Sequence, residues 1–177
     1  MKFSTGEKGY TLIILLIAIA VMSVGLLIAI PVWKTQIQRE KEAELIFRGH
    51  QYVEAVRLYQ LKYPGRFPHS LKELLGEKCI RRLYKEPMTK DGLWDVILLY
   101  QGVSRQRGQS PQKVMIAPQR VLSSLDNPQI LGVVSSSPQK SIKIYNGQTS
   151  YDKWLFFYGQ DPQRMPEIIR YGQAEQK

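Results

Sequence analysis

The residues that most often do chemistry in proteins are few and scattered in this sequence. His50 and His69, the two histidines, do not share a zinc-site spacing with each other or with Cys79, the single cysteine. No Gly-x-Ser-x-Gly nucleophile elbow and no phosphate-binding loop occur. We therefore expect no catalytic residue, no metal site, no cofactor and no enzyme activity. One cysteine allows no intrachain disulfide, so we expect Cys79 to be a buried structural thiol.

Two acidic pairs raise the alternative of a calcium loop. Asp91 lies close to Asp95 in the sequence, and Asp126 is followed by Asn127. Neither pair belongs to the dense alternation of oxygen ligands that an EF-hand loop requires. We interpret these residues as turn caps, since Asp and Asn side chains bond readily to nearby backbone.

The charge of the chain is strongly basic. It has 177 residues and a formal net charge of +10, with 25 Lys and Arg against 15 Asp and Glu. A basic surface can bind nucleic acid, anionic lipid or an acidic protein. The densest basic groups are short, and their scatter disfavours nucleic acid as a partner: Arg81-Arg82 with Lys85, and Arg105 with Arg107. We interpret most of the charge as a solvated surface next to a membrane.

A long apolar run, residues 10–33, dominates the N-terminal part of the chain. No charged residue interrupts it, and Gly25 and Pro31 are its only helix breakers. Its length of about 24 residues exceeds the roughly 20 that a helix needs to cross the hydrocarbon core of a bilayer. Backbone amides in lipid must be paired within the segment, so the run predicts a transmembrane helix.

Three interpretations of this run are open. The first is a plain single-pass anchor. The second is a cleaved secretory signal, whose apolar core is about 7–15 residues long and is followed by small residues. The run is longer than that, and Ile28-Ala29-Ile30-Pro31 is a poor cleavage site. The third is a short charged leader, residues 1–9, whose removal leaves the apolar run as the mature N-terminus.

The junction between the leader and the run favours the third interpretation. The sequence around it resembles the prepilin peptidase site of type IV pilins and type II secretion pseudopilins: Lys8-Gly9-Tyr10-Thr11-Leu12-Ile13. The resemblance implies cleavage between Gly9 and Tyr10 and N-methylation of Tyr10. Pro31 also matches, because the family commonly carries a proline near the far end of the apolar segment. Ile14 and Pro31 are thereby implied as assembly positions.

Ile14 departs from the family, which usually has Glu at this position. That Glu is thought to pair with the N-terminal amine of a neighbouring subunit during assembly. Opposite charges attract strongly in a low-dielectric filament core, whereas either charge alone is unfavourable there. Ile14 makes no such pair, so the resemblance implies a minor subunit at the tip or in an initiating complex. The alternative is a subfamily that assembles by packing alone.

The charges around the run indicate its orientation. Lys2 and Lys8 precede it and favour a cytoplasmic N-terminus. Basic residues also follow it, and Glu40, Glu42 and Glu44 offset their charge. We expect a single-pass protein of the bacterial inner membrane with its soluble domain in the periplasm.

Residues 36–63 continue the helical pattern, and we expect one long N-terminal helix with a kink near Pro31. One face has residues spaced alternately by four and three, which predicts packing on a sheet: Leu45, Gly49, Tyr52, Val56, Tyr59 and Tyr63. The dipeptide Pro64-Gly65 predicts the end of this helix. Ser70 is then the predicted N-cap of a short helix, with Glu73 in the capping-box position.

Short strands are predicted beyond this helix, at residues 94–100, 114–117, 130–134, 141–145 and 152–158. Residues 141–145 alternate between apolar and polar, which indicates a half-buried strand. Residues 102–118 are predicted to be mostly an exposed loop, residues 135–138 and Asn146-Gly147 to be turns, and the tail from residue 159 to be frayed.

The expected fold class is α+β, with a long N-terminal helix packed on a small antiparallel sheet in a pilin-like arrangement. The expected divisions are a leader (1–9), a transmembrane helix (10–33), its soluble half (34–63), a globular domain (64–158) and a polar tail (159–177).

Residues 130–158 resemble the C-terminal part of pseudopilin-like proteins. The shared elements are Gly-Val-x-Ser-x-Ser, x-Tyr-Asn-Gly and Tyr-x-x-Trp-x-Phe-x-Tyr. The resemblance implies a minor subunit of a periplasmic pseudopilus that supports protein export. Its implied partners are prepilin peptidase, other pseudopilins or pilins, an inner-membrane assembly platform and membrane lipid. A minor type IV pilin of a surface or DNA-uptake filament and an unrelated anchored periplasmic domain are the alternatives.

Overall fold

The computed structural model describes residues 6–100, 113–161 and 163–172, and in its first helix the side chains of residues 9–25 and 33 onward. The chain divides into two compact units, Met1–Glu40 and Lys41–Lys177. The helices are α1 (Gly6–Lys62) and α2 (Leu71–Gly76). The strands are β1 (Asp95–Leu99), β2 (Lys113–Pro118), β3 (Ile130–Val134), β4 (Lys140–Tyr145), β5 (Gln148–Ser150), β6 (Phe156–Phe157) and β7 (Glu167–Arg170).

Helix α1 continues through residue 31 without a break, and the kink expected near Pro31 stays a prediction. The helix ends where the sequence predicts. Tyr63 N donates to Tyr59 O at 2.8 Å, and Gly65 has a φ of +83°, a left-handed conformation that favours glycine. No helix among the described residues combines the length and the apolarity that crossing a membrane requires. The predicted span includes residues 26–32, whose side chains lie outside the described part.

Within the unit Lys41–Lys177, helix α1 packs its predicted face into the core. Leu45, Tyr52 and Val56 are almost completely buried, Gly49 and Tyr59 are buried, and Tyr63 is half-buried. Fully burying an apolar side chain of this size contributes about 1.5–3 kcal/mol. This face is therefore a principal source of the stability that holds the helix in place. The largest fully buried side chains around it are aromatic: Trp94, Trp154, Tyr52, Tyr151, Phe156 and Phe157.

The main sheet has five strands in the order β6-β3-β1-β2-β7. Neighbouring strands are antiparallel except β2 and β7, which run parallel. The middle strand β1 buries Val96, Ile97 and Leu98 consecutively, because both of its faces are covered. The α+β class is thus confirmed, with a helix packed on a small, mainly antiparallel sheet.

The predicted strand 152–158 is wrong in its extent. Only Phe156–Phe157 form a strand, and Tyr151–Lys153 form a single 3-10 turn. The cause is local: Trp154 N donates to Tyr151 O at 3.1 Å, and the Trp154 indole donates to Gln148 O at 3.1 Å. These bonds turn the chain before it can extend.

The prediction of a frayed tail is wrong for Glu167–Arg170. These residues form β7, which pairs with β2 from Lys113↔Glu167 to Ile116↔Arg170. Tyr171 N then donates to Ile116 O at 2.8 Å. The prediction of a loop is likewise wrong for Lys113–Pro118, which form β2, while the strand predicted at 114–117 is confirmed. The rest of the predicted loop, residues 102–112, lies outside the described residues.

Strand β4 differs from its prediction of a half-buried strand. It pairs only with β5, in a separate two-stranded sheet, and four of its six residues are exposed. Ile144 is 71% exposed. The predicted turn is confirmed, since Asn146 and Gly147 have φ values of +46° and +75°. Both positive values are typical of the type I′ turn that Asn-Gly favours.

Helix α2 begins as predicted. Ser70 Oγ accepts a hydrogen bond from Glu73 N at 3.1 Å. The Glu73 carboxylate accepts from His69 N at 2.7 Å, one position before the N-cap amide that a capping box normally uses. Tyr59 Oη donates to the same carboxylate at 2.6 Å, which ties α2 to α1.

Gly49 permits a close approach between helix α1 and strand β6. A Cβ on Gly49 would lie 2.4 Å from Cγ of Phe156, inside any real contact distance. Phe156 is completely buried and its ring cannot move without disturbing the core.

Gly49→Ala should lower the free energy of unfolding by about 1–3 kcal/mol, as overpacking of a core does. Helix propensity alone predicts the opposite sign, a gain of about 1 kcal/mol. Gly76→Ala is the matched control, because nothing lies within 4 Å of its Cβ position. Denaturant unfolding of the full chain in mild detergent, followed by tryptophan fluorescence, measures both. A Gly49→Ala variant as stable as Gly76→Ala would contradict this packing.

Candidate assembly site

The residues predicted to act in processing and assembly lie in the first compact unit, on helix α1. Tyr10 is 67% exposed and Ile14 is 48% exposed, one helical turn apart. Gly9 is also exposed, and no described atom outside the local helix backbone and the two neighbouring residues lies within 4 Å of its Cβ position. The Gly9–Tyr10 peptide bond itself lies within α1. Pro31 lies in the helix, but its side chain is outside the described part. Gly9, Tyr10 and Ile14 are thus brought together on one accessible segment.

An extended apolar surface follows Gly9, and we call it the N-terminal apolar surface. Its members are each 48–73% exposed within the unit: Tyr10, Leu12, Ile13, Ile14, Leu15, Leu16, Ile17, Ile19, Val21, Met22 and Val24. The Ser23 hydroxyl donates to Ile19 O at 2.8 Å, so this polar group is satisfied by the helix itself. Large exposed apolar patches mark binding sites for proteins or membranes. This surface is suited to lipid or to other apolar helices.

The histidines and the cysteine have ordinary structural surroundings. The His50 ring meets Phe156 at 5.9 Å between centroids, and His69 Nδ1 lies 2.9 Å from Pro128 O. Cys79 is half-buried, less than the sequence predicts, and burial raises the pKa of its thiol. A raised pKa keeps the thiol protonated and weakly nucleophilic. Across the described ranges, no three His, Cys, Asp or Glu residues come together as a metal site would require.

Two of the acidic residues that raised the calcium alternative, Asp91 and Asp95, interact with arginines. Asp91 forms an ion pair with Arg120 at 3.1 Å. Burial raises the pKa of Asp95, an effect that Arg170 partly opposes. Glu86, which is only 2% exposed, accepts hydrogen bonds from two backbone amides of its own loop. Desolvation is the main cause at Asp95, as expected of a carboxyl group at the margin of a core.

The sequence analysis misses Glu42, the residue that joins helix α1 to the β4–β5 hairpin. Glu42 is completely buried. Its Oε1 accepts from Ile142 N at 2.6 Å and from Tyr151 Oη at 2.7 Å, and its Oε2 accepts from Lys143 N at 3.0 Å. We call this group the Glu42 anchor. A buried carboxylate is unfavourable unless it is hydrogen-bonded, and here three donors meet it.

An irregularity in strand β4 explains why these donors are available. The register with β5 shifts between Lys140↔Ser150 and Tyr145↔Gln148. A bulge of this kind leaves ladder groups of one strand without a partner on the other. The amides of Ile142 and Lys143 lie within the shifted part, and the two oxygens of Glu42 accept from them.

The spacing of residues in the sequence places Glu42 on the buried face of α1. It lies three positions before Leu45 and seven before Gly49, so it extends the alternating spacing of the buried face by one turn. The sequence groups Glu42 with Glu40 and Glu44 only by charge, and the structure separates them, because Glu42 is buried whereas Glu40 is exposed. An acidic residue on a predicted core face implies that hydrogen-bond donors lie close to it in the fold.

In comparisons with known proteins, no protein-family model, curated protein or solved structure matches the chain. Functional inference therefore depends on the residues and geometry of this chain. Those are the Gly9–Tyr10 junction, the N-terminal apolar surface and the anchored α+β unit.

Glu42→Gln should destabilise the β4–β5 hairpin by about 1–3 kcal/mol, because a side-chain amide offers one acceptor oxygen in place of two. Hydrogen–deuterium exchange of a peptide covering β4 measures the effect, and we expect its amides to exchange about tenfold faster or more. Glu40→Gln is the matched control, since Glu40 is exposed and accepts a hydrogen bond from Gln36 on its own helix. Equal exchange in the two variants would contradict the anchor.

Proposed function

We propose that this chain is a minor pseudopilin-like subunit that assembles through its N-terminal helix into a periplasmic filament supporting protein export. The observation that carries the proposal is the N-terminal apolar surface, which begins directly after the Gly9–Tyr10 junction and is exposed along its length. An α+β unit with a helix packed on a small sheet follows on the same chain. The proposed role is structural and not catalytic.

Processing at Gly9 gives this role its first step. Prepilin peptidase would cut the Gly9–Tyr10 bond, and Tyr10 would become the methylated N-terminus. The remaining segment is apolar on every side, so it needs an apolar partner around its whole circumference. Membrane lipid supplies that partner before assembly, and the helices of other pseudopilins supply it afterwards. An inner-membrane assembly platform would transfer the subunit from one to the other.

Ile14 restricts the place of the subunit in such a filament. Its side chain is half exposed, lies one turn after Tyr10 and carries no charge. It offers no partner to the N-terminal amine of a neighbouring subunit, and a charged residue there would be unfavourable in lipid by about 2.5–3.5 kcal/mol. A subunit with no neighbour above it needs no such pair. We therefore place the chain at a tip or in an initiating complex, present in few copies.

Co-expression with a prepilin peptidase tests the proposal in a single preparation. Intact mass should show a mature chain that starts at Tyr10 with one added methyl group. Gly9→Leu should retain the leader, because a bulky side chain then occupies the cleavage position, while membrane integration continues. Quantitative mass spectrometry of the assembled filament should find this chain much less abundant than the main subunit.

Gly25→Leu is the matched control for the cleavage measurement. It makes the same substitution at an exposed helix position with nothing within 4 Å of its Cβ, and it should be cut normally. Retention of Met1 in the unaltered chain with an active peptidase present would refute the prepilin assignment. Finding the chain as the most abundant subunit along the shaft would refute its placement at the tip.

A further inference from the structure

Strand β4 exposes an apolar and cationic surface that no other described element covers. Ile142 is 40% exposed and Ile144 is 71% exposed. Lys140 and Lys143 are exposed on the same strand. Aliphatic side chains next to cations fit a boundary between apolar and anionic material. We call these four residues the β4 surface.

The Glu42 anchor fixes where the β4 surface lies in its unit. Glu42 is the first residue of helix α1 that is buried in the unit Lys41–Lys177, and its carboxylate binds the amides of Ile142 and Lys143. Along the chain, Glu42 comes only a few helical turns after Trp33, where the apolar run ends. The β4 surface is thus attached to the part of the helix that follows the apolar run most closely.

We propose that the β4 surface docks the globular unit on an anionic phospholipid bilayer, with Ile142 and Ile144 at the acyl boundary and Lys140 and Lys143 among the phosphates. The inference rests on the proposed function, because the apolar run must hold the chain at the membrane. That tether makes the bilayer a partner at high effective concentration, so a weak contact suffices. The docked state would hold the subunit on the membrane until assembly withdraws it.

Charge and side-chain type favour lipid over the other occupants. A second copy of this chain would bring another net charge of +10 and would repel the first. Single-stranded nucleic acid is bound on aromatic faces where bases stack, whereas the exposed apolar members of the β4 surface are aliphatic. A phosphate backbone would pair with the lysines but would leave Ile142 and Ile144 without an apolar partner. An anionic bilayer offers negative headgroups and an apolar interior at one boundary.

Lipid-quenching fluorescence on the full chain tests this proposal. Ile144→Cys, made together with Cys79→Ser, carries an environment-sensitive fluorophore, and the chain is reconstituted into vesicles with a quencher on the lipid. Vesicles of phosphatidylcholine alone are compared with vesicles containing about one third phosphatidylglycerol. We expect clearly stronger quenching in the anionic vesicles and its loss at about 0.5 M salt, which screens the headgroups.

Lys140→Gln with Lys143→Gln should weaken docking by roughly fivefold per lysine, while the backbone amides that Glu42 binds remain in place. A fluorophore at Ser123→Cys, on an exposed segment elsewhere in the unit, is the control and should stay unquenched. If the chain resists alkaline extraction but the Ile144 site is quenched no more than the Ser123 site, docking is refuted and the proposed function survives.

Two further results would overturn the inference in other ways. If the chain itself is extracted from the vesicles by alkali, membrane anchoring fails and the proposed function fails with it. If the Ile144 site is shielded without lipid quenching, and the shielding grows with protein density, the β4 surface is an interface between copies of the chain.

Discussion

The globular unit depends on a buried carboxylate that bonds across 100 residues of sequence. Glu42 on helix α1 accepts hydrogen bonds from two backbone amides of β4 and from the Tyr151 hydroxyl. The two amides lie where the register of the β4–β5 ladder shifts. The hairpin is also attached by Tyr145, whose ring packs on Phe156 and Trp154, and by the Trp154 indole, which donates to Gln148 O. Most of β4 is exposed, so apolar burial alone holds it weakly. The Glu42 anchor therefore holds the hairpin against the buried part of α1.

Helix α1 meets two different physical demands along its length. In residues 41–62 one face is apolar, and a single sheet is enough to cover it. In residues 10–25 the apolar side chains surround the helix and are exposed within their unit. Only lipid or several neighbouring helices can cover a segment of that kind. The proposed function follows from this difference, because one part of the helix stabilises a domain and the other requires an external partner.

Features that depend on neighbours in sequence could be predicted. The end of α1 before Pro64, the Ser70 cap and the Asn146-Gly147 turn each follow from a few adjacent residues. Strand β7 could not be predicted, because it is a short segment within a polar tail and forms a strand through parallel pairing with β2. The anchor shows the same limit. The spacing of α1 places Glu42 on the core face, but its donors come from a bulge in β4 that the sequence pattern does not reveal.

A double-mutant cycle between Glu42 and Tyr151 tests the central claim most directly. Tyr151→Phe removes the hydroxyl and keeps the ring, and Glu42→Ala removes both acceptor oxygens, so each single variant removes the hydrogen bond between them. Denaturant unfolding of the two single variants and the double variant gives the coupling between the residues. Hydrogen bonds to charged groups contribute about 1.5–3 kcal/mol, and we expect a coupling of that order. Effects that add to within about 0.5 kcal/mol would mean that the bond does not stabilise the unit, and would contradict the account.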